Sequence, residues 1–221
     1  MKRRYRRLLA LPAFLLAGSL GYAFLALPQP SETVPSLVRN NLADSGVSNP
    51  VPAVLLNFRG YDTLLEMAVL LAAVISVRVL DVPHPSSSGK PEWFLTRFSA
   101  LLLPALLLAA FYLLWAGAHA PGGAFQAGSV LAAAGIIVLL SGRSVPKRFR
   151  HFPLRLLLVI GTAGFAAAAA LGLLVNGQML HYPPEEAGAW IFAVETAATV
   201  SIGVTLSALF LAVVPGEEPK P

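Results

Sequence analysis

Long apolar blocks alternate along the chain with short polar segments. Each block holds about 20 residues, which crosses a hydrocarbon core of roughly 30 Å at about 1.5 Å per helical residue. The blocks lack the residue-by-residue alternation of membrane β-strands. The pattern therefore predicts an all-α fold, a polytopic transmembrane helical bundle with about six spans, at residues 8–27, 63–80, 95–117, 124–140, 154–175 and 189–214.

Composition supports a lipid environment and excludes several chemistries. Hydrophobic residues make up 56% of the chain and charged residues only 12%, about half the share in soluble domains. The chain has no cysteine, which excludes thiolate metal sites and iron–sulfur clusters, and its four histidines lie outside the interiors of the predicted spans, which disfavours a membrane haem. We therefore expect no catalytic residues, no metal and no cofactor.

The basic residues indicate orientation. With the N-terminus inside, all but two of the sixteen Lys and Arg residues fall in inside segments, the exceptions being Arg39 and Arg59. Both termini are thus predicted to be cytoplasmic, in a multi-pass protein of the cell membrane. The same distribution argues against nucleic acid as a partner, because the positive charge is not gathered on one soluble surface. Residues 8–27 follow a basic N-terminus and are interpreted as an anchor, with a cleaved signal peptide as the alternative.

Two polar segments suggest how the chain is organised. Residues 82–92, VPHPSSSGKPE, have the composition of a flexible linker and divide the chain into a two-span part and a four-span part. A long inside loop of a single domain explains the composition equally well. Residues 28–57 contain five prolines and are not expected to form one continuous helix.

Glu66 is the first of two carboxylates that fall inside predicted spans. Charges at the bilayer centre cost roughly 2.5 to 3.5 kcal/mol on insertion scales, so each needs a partner or a purpose. Arg59, Asp62 and Glu66 have the spacing that places side chains on one helix face. The group is interpreted either as a structural ion pair or as a site at which Glu66 exchanges a proton or meets a cation.

Glu195 is the second such carboxylate. It begins a stripe with Thr199, Gly203 and Ser207 at four-residue spacing, a face of small and polar groups on the last span. Such faces favour close helix packing, and packing and an ion path remain open as explanations.

A short external turn, AHAPGGAFQAG at residues 118–128, joins the third and fourth predicted spans. Pro121, Gly122 and Gly123 permit a tight reversal, and Phe125 starts the next helix. The turn is either a plain hairpin or backbone that lines a polar cavity.

Two of these motifs together resemble a known family. HAPGGAFQAG is similar to the signature of the B subunit of Mrp-type multisubunit Na+/H+ antiporters, the MnhB family. NPVPAVLLNFRGYDTLLEMAVL, at residues 49–70, resembles the carboxyl end of the large A subunit, an element that also occurs as a small subunit in membrane-bound hydrogenases. The resemblance implies two modules, 1–85 similar to the carboxyl-terminal element of the A subunit and 92–215 similar to the B subunit. Leu65, Ala124 and Ala127 stand where the family patterns have glycine.

The resemblance implies an accessory subunit of a monovalent cation/proton antiporter. It implies other antiporter subunits as partners, Na+ and protons as transported ions, and a role in transport for Glu66. By their match to the motif, Pro121, Gly122, Gly123 and Phe125 are implied to form the family's turn. In the B subunit an acidic residue is usual in the last helix, which the span with Glu195 resembles. On this basis Glu66→Gln is expected to impair exchange without preventing assembly.

Two other functions stay open. A membrane-arm subunit of a membrane-bound hydrogenase or a related ion-pumping oxidoreductase has the same architecture. A purely structural assembly subunit, whose acids only lock helices together, predicts that Glu66→Gln lowers the amount of complex and not its activity per complex.

Overall fold

A computed structural model of the chain describes residues 2–27, 33–79, 93–142, 152–183 and 185–213. Every regular element in these ranges is helical, which confirms the predicted fold class. The predicted linker at 82–92, with His84, lies outside the described residues, as does His151.

Eight α-helices follow one another along the described chain, and six of them coincide with the six predicted spans to within a few residues, apart from an earlier start of the first. They are α1 (Lys2–Leu25), α2 (Val34–Asn41), α3 (Pro50–Pro52), α4 (Gly60–Val79), α5 (Trp93–Ala116), α6 (Ala124–Leu140), α7 (Phe152–Asn176) and α8 (Ala187–Val213). Four of the six, α4, α5, α7 and α8, are long and apolar enough to cross a membrane. The apolar part of α1, Pro12–Leu25, and α6 are shorter.

The chain divides into two compact units, Met1–Leu37 and Val38–Pro221. In the first unit, α1 continues through Pro12, which removes one backbone hydrogen bond from the helix. The second unit contains α3 to α8 and holds all the individual residues discussed below.

The segment before α4 is built from short helical pieces, as its prolines require. A 3₁₀ turn, Leu42–Ser45, follows α2, and Gly46 ends it in the left-handed conformation. Three-residue α3 then passes into a π-helix, Ala53–Phe58, in which the Arg59 N–H donates to the Val54 carbonyl at 2.7 Å. The Thr63 hydroxyl donates to the Leu55 carbonyl at 2.7 Å, which satisfies one carbonyl acceptor of the π-helix.

Helix α8 is the centre of the second unit and packs against α6, α7 and α4, while α5 packs mainly against α6. Small residues allow the close approach: a β-carbon on Gly128 of α6 would lie 2.7 Å from Cγ2 of Ile202 in α8. The Ser201 hydroxyl donates to the Leu158 carbonyl of α7 at 2.7 Å, and the Ser207 hydroxyl to the Ala132 carbonyl of α6 at 3.2 Å. Small side chains and interhelical hydrogen bonds are the usual means of helix association in lipid.

The loop between α7 and α8 closes one end of the unit. Leu180 has φ +56 and is buried, with its side chain against Gly60 at the start of α4. It belongs to an apolar cluster made by the π-helix, α7, the loop and α8: Leu56, Phe165, Ala168, Ala169, Leu180, Tyr182, Ala187, Ile191 and Val194. This cluster fixes the end of the bundle at which α4 and α8 begin.

Candidate functional site

Glu195 lies in the interior of the bundle. Its side chain belongs to α8, eight residues after the helix begins at Ala187, or about 12 Å along the axis at 1.5 Å per residue. Only 6% of the residue is exposed. No Lys, Arg or His nitrogen of the described chain lies within ion-pair distance of its carboxylate.

The turn between α5 and α6 meets the Glu195 carboxylate. The backbone N–H of Ala124, the first residue of α6, donates a hydrogen bond to it. Gly123 precedes that residue with φ +108, and a β-carbon there would lie 3.0 Å from Oε1 of Glu195. The glycine is required for both reasons, since its backbone conformation disfavours side chains and the carboxylate occupies the adjacent space. The partial positive charge of a helix N-terminus adds a favourable interaction.

Close backbone packing sets the position of this turn. The N–H groups of Gly117 and Gly123 both donate to the Leu113 carbonyl, at 3.1 and 2.9 Å. A β-carbon on Gly117 would lie 2.6 Å from the Cα of Gly123, and one on Gly122 would overlap the Leu113 carbonyl oxygen. The predicted reversal therefore forms with no space for side chains at these glycines.

Pro121 and Phe125, the other two turn residues singled out by the sequence, have different surroundings. Pro121 is exposed at the tip of the turn. Phe125 is partly buried in the first turn of α6 and packs against a small cluster formed by Met67, Ala198 and Ile202. It thus ties the start of α6 to α4 and α8.

A cavity of about 80 Å3 lies at Glu195, at the end of the bundle where α4, α6 and α8 begin. It has space for several water molecules, since a single water needs roughly 10–15 Å3 by this measure. Its walls come from the segment before α4, the turn, α6, α7 and α8, namely Val51, Pro52, Leu55, Leu56, Thr63, Gly122, Gly123, Ala124, Phe125, Gln126, Phe165, Glu195 and Ala198.

The surroundings of the cavity compensate only part of the cost of burying the Glu195 carboxylate. A buried carboxylate needs hydrogen-bond donors, a counter-charge or a proton, and the Ala124 N–H supplies one donor. The walls are mostly apolar, with the hydroxyl of Thr63 already donating to Leu55. The arrangement can therefore accept either a proton or a small cation at the carboxylate.

Glu66 lies in different surroundings from Glu195. It is exposed on α4, about 9 Å from the start of that helix at Gly60. Arg59 and Asp62 form an ion pair at 2.5 Å, with side chains 69% and 47% exposed, and within the described ranges no ion pair reaches Glu66. The structure thus brings two members of the predicted group together, on the surface of the second unit and outside the set of residues that line the cavity.

Thr199 follows Glu195 along the stripe on α8 and is engaged by its own helix. Its hydroxyl donates to the Glu195 backbone carbonyl at 2.8 Å. Farther along, a β-carbon on Gly203 would lie 2.8 Å from Leu131 of α6, and Ser207 contacts Ala132. The stripe faces α6, and Thr199 does not line the cavity.

Sequence reasoning did not place the residues before α4 at this site. Val51 and Pro52 are about 70 residues from the turn, and nothing in their local pattern points to a distant carboxylate. The useful signal was Asn49 followed by Pro50, an N-cap residue and a proline at the first helical position. That pattern predicts a helix start within the supposed loop.

Comparisons with known proteins match both halves of the chain. Residues 94–214 match a family described as a domain related to the MnhB subunit of Na+/H+ antiporter, and residues 1–86 match a family described as the E subunit of MBH. An uncharacterized protein of Methanocaldococcus jannaschii is 30% identical over 168 residues, 66% of this chain and 64% of the relative. A probable A/B subunit of a K+/H+ antiporter from Rhizobium meliloti is 29% identical over 215 residues, 81% of this chain and 21% of the relative.

Two solved complexes contain chains of similar fold. One is a membrane-bound sulfane sulfur reductase, an archaeal respiratory membrane complex, with a TM-score of 0.71 and 24% identity over 96% of this chain and 99% of the other. The other is the Mrp complex from Dietzia sp. DQ12-45-1b, with a TM-score of 0.64 and 26% identity over 99% of this chain and 27% of the other.

Proposed function

Because the chain belongs to the family of domains related to the MnhB subunit of Na+/H+ antiporters, we propose that it is an accessory membrane subunit of a multisubunit monovalent cation/proton antiporter. Its partners are then the other subunits of that complex, and the transported species are protons and a monovalent cation, with Na+ the first to test. The subunit has no enzymatic reaction of its own in this proposal. Similarity to an antiporter subunit and to a chain of an Mrp complex supports it.

The observation that carries the proposal is the buried Glu195 carboxylate in its cavity. A carboxylate that accepts one backbone hydrogen bond and has no ion pair in the described chain can bind a proton or a cation, but not both at once. Mutually exclusive binding at one carboxylate is a minimal basis for exchange. Because the cavity lies where α4, α6 and α8 begin, we assign Glu195 to a path that enters from that end of the bundle.

The chain supplies only part of a transport path. No lysine lies within the four helices long enough to span a membrane, and Glu66 and Glu195 are the only carboxylates deep within them. A proton relay across a bilayer needs a longer series of ionisable groups. Larger subunits therefore provide the main relay, and this subunit lines part of the path at their interface.

Glu66 is proposed to lie at that interface. Its carboxylate is exposed on α4, and the Arg59–Asp62 ion pair at the start of that helix is exposed as well. Direct exposure of a carboxylate to lipid is unfavourable, so a partner subunit that covers this face with polar groups accounts for its presence. Transport roles for Glu66, Asp62, Arg59 and Thr199 remain proposals that rest on the family resemblance.

Module boundaries and orientation complete the proposal. Family matches over residues 1–86 and 94–214 support modules at 1–85 and 92–215. The basic residues support cytoplasmic termini and the cell membrane as the location.

Cation-dependent proton movement in everted vesicles tests this function. The whole gene cluster is expressed in antiporter-deficient cells and compared with the cluster that lacks only this gene. Loss of exchange on deletion is expected. Exchange that persists at the full rate without this subunit would contradict an essential role.

Glutamine variants of the two acids test the site within the assembled complex. Glu195→Gln should lower exchange per complex by about tenfold or more, because it removes the group that binds both ions, whereas Glu185→Gln in the exposed loop should not. Glu66→Gln should also impair exchange. Wild-type exchange by an assembled Glu195→Gln complex would exclude Glu195 from the path, and reduced assembly with normal activity per complex would indicate a structural subunit.

The match of residues 1–86 to the family of the MBH E subunit supports a second candidate function. In this alternative the chain is a membrane-arm subunit of a membrane-bound hydrogenase or a related ion-pumping oxidoreductase. It predicts no cation-driven proton exchange from the intact cluster unless an electron donor and acceptor are added. The vesicle experiment therefore separates the two functions.

A further inference from the structure

Asn49 joins two distant parts of the chain through a buried side chain. It lies just before α3, is 7% exposed, and its Nδ2 group donates to the Gly117 carbonyl at 2.7 Å and to the Ala120 carbonyl at 3.1 Å. Its Oδ1 atom accepts from the Val51 N–H at 3.0 Å. One side chain thus makes three hydrogen bonds, two of them to residues about 70 positions away.

The amide suits this position chemically. Both hydrogens of its NH2 group are directed at carbonyl oxygens, and its oxygen accepts from an N–H, so donors and acceptors are matched. Aspartate would place a second oxygen against the Gly117 and Ala120 carbonyls, and alanine would leave both buried carbonyls without this donor.

These hydrogen bonds hold two walls of the Glu195 cavity in register. On one side, Asn49 caps the helical turn that carries Val51 and Pro52 into the cavity wall. On the other side, it holds the external turn that ends at Gly123, from which the Ala124 N–H reaches Glu195. A shift of either wall changes the distance between the carboxylate and its donor.

We propose that Asn49 is a positioning residue for the Glu195 cavity, an inference that rests on the proposed function of that site. It lies within the first family match, 1–86, whereas the carbonyls that it binds lie within the second, 94–214. The side chain therefore joins the two matched regions beside the segments that form the cavity walls, and those walls come from both regions.

The absence of native cysteine allows a direct test of the cavity walls in the assembled complex. A single cysteine replaces Ala198, a cavity residue that is 2% exposed, and its reaction rate with a small membrane-permeant thiol reagent is measured. Asn49→Ala in this background should raise the rate by roughly fivefold or more, because lost buried hydrogen bonds of this kind shift local opening by at least that factor. An unchanged rate would overturn the proposal.

Asn57→Ala is the matched control. Its Nδ2 group also donates to a backbone carbonyl, that of Ser45 at 3.1 Å, but that contact stays within the segment before α4 and Asn57 does not line the cavity. It should leave labelling unchanged. A second reporter, Thr63→Cys, repeats the measurement at another buried cavity residue if Ala198→Cys disturbs the complex.

Transport by the same variants supplies the functional consequence. Asn49→Asp should raise the half-saturating cation concentration severalfold at an unchanged amount of complex, because the altered wall changes the cation site. A variant that lowers only the amount of complex would show a merely structural role and overturn the assignment. The labelling result does not depend on transport, so an intact cluster that shows no exchange defeats the proposed function while the labelling still decides whether Asn49 holds the cavity.

Discussion

The carboxylates of Glu195 and Glu66 have different surroundings. Glu195 is buried, held by a backbone N–H and adjacent to a cavity. Glu66 is exposed, next to an ion pair that does not include it. The sequence identified both residues, because a carboxylate within an apolar span is conspicuous. Their surroundings depend on contacts between helices, which the spacing of residues within one helix does not report.

Tyr182 is a buried residue for which the sequence offered no expectation. It lies in the loop between α7 and α8, is 3% exposed, and its hydroxyl has no hydrogen-bond partner in the described chain. Burial raises the pKa of Tyr182 to about 12 from an ordinary value of 10.0. Tyr182 therefore ionises at a lower pH in the unfolded chain than in the folded one. Its ionisation does not reduce the stability of the fold below pH 10, and stability falls as the pH rises from 10 towards 12.

Tyr182→Phe should retain stability at pH 8 or raise it by about 1 kcal/mol, because it removes a buried hydroxyl without a partner. It should also remove the part of the alkaline destabilisation that arises from Tyr182 ionisation. Thermal unfolding of the purified protein in detergent at pH 8 and pH 11 measures both effects. Tyr112→Phe, at an exposed tyrosine of α5, is the control, and a marked loss of stability in Tyr182→Phe at pH 8 would mean that the hydroxyl is satisfied.

Helix α6 is the element that connects the turn to the core. It begins at Ala124 beside Glu195 and packs along α8 through Gly128. Its ends agree with the sequence prediction at both residues, because glycines before it and a polar SGR sequence after it bound an apolar run. The π-helix and α3 could not be predicted in the same way, since the prolines indicated only that one continuous helix was impossible.

Gly128→Ala should separate α6 from α8 near the site. The added β-carbon would lie 2.7 Å from Cγ2 and 2.8 Å from Cβ of Ile202, and a β-branched side chain has little freedom to move aside. We expect a loss of about 1–3 kcal/mol, the usual cost of overpacking, together with lower exchange per complex. Thermal unfolding in detergent measures the first effect and vesicle transport the second.

Gly188→Ala provides the comparison within α8. Nothing lies within 4 Å of a β-carbon at that position, so the variant should be as stable as the wild type or slightly more stable. Equal stability of the two alanine variants would show that α6 and α8 are less closely packed at Gly128 than the structure indicates.

For the whole molecule, the number and order of the six long helices followed from hydrophobicity, whereas the placement of α8 at the centre did not. Helix α8 has the stripe of small and polar residues that favours packing, but α7 carries a comparable run of glycine and alanine. Which helix lies at the centre depends on its contacts with three neighbouring helices at once. Asn49 shows the same limit, because its local sequence pattern predicts the helix cap but does not predict its long-range hydrogen bonds.

Orientation can be tested with single cysteines at opposite ends of α5. His119→Cys, in the exposed turn between α5 and α6, should react in intact cells with a reagent that does not cross the membrane, because the basic residues predict that this end is outside. Arg97→Cys, exposed near the other end, should react only after permeabilisation. The opposite pattern would reverse the predicted topology, and the cysteine-free parent chain measures background labelling.

The central position of α8 has a consequence for biogenesis. The two spans that carry the intramembrane acids have the lowest mean hydropathies of the four, 1.6 for α4 and 1.5 for α8, against 2.1 for α5 and 2.2 for α7. Half of the apolar window of α8 is buried inside the bundle, against 17% of that of α5. Helix α8 also leaves the ribosome after α4 to α7. Of these four helices, the one with the lowest mean hydropathy is thus synthesised after the helices that enclose it.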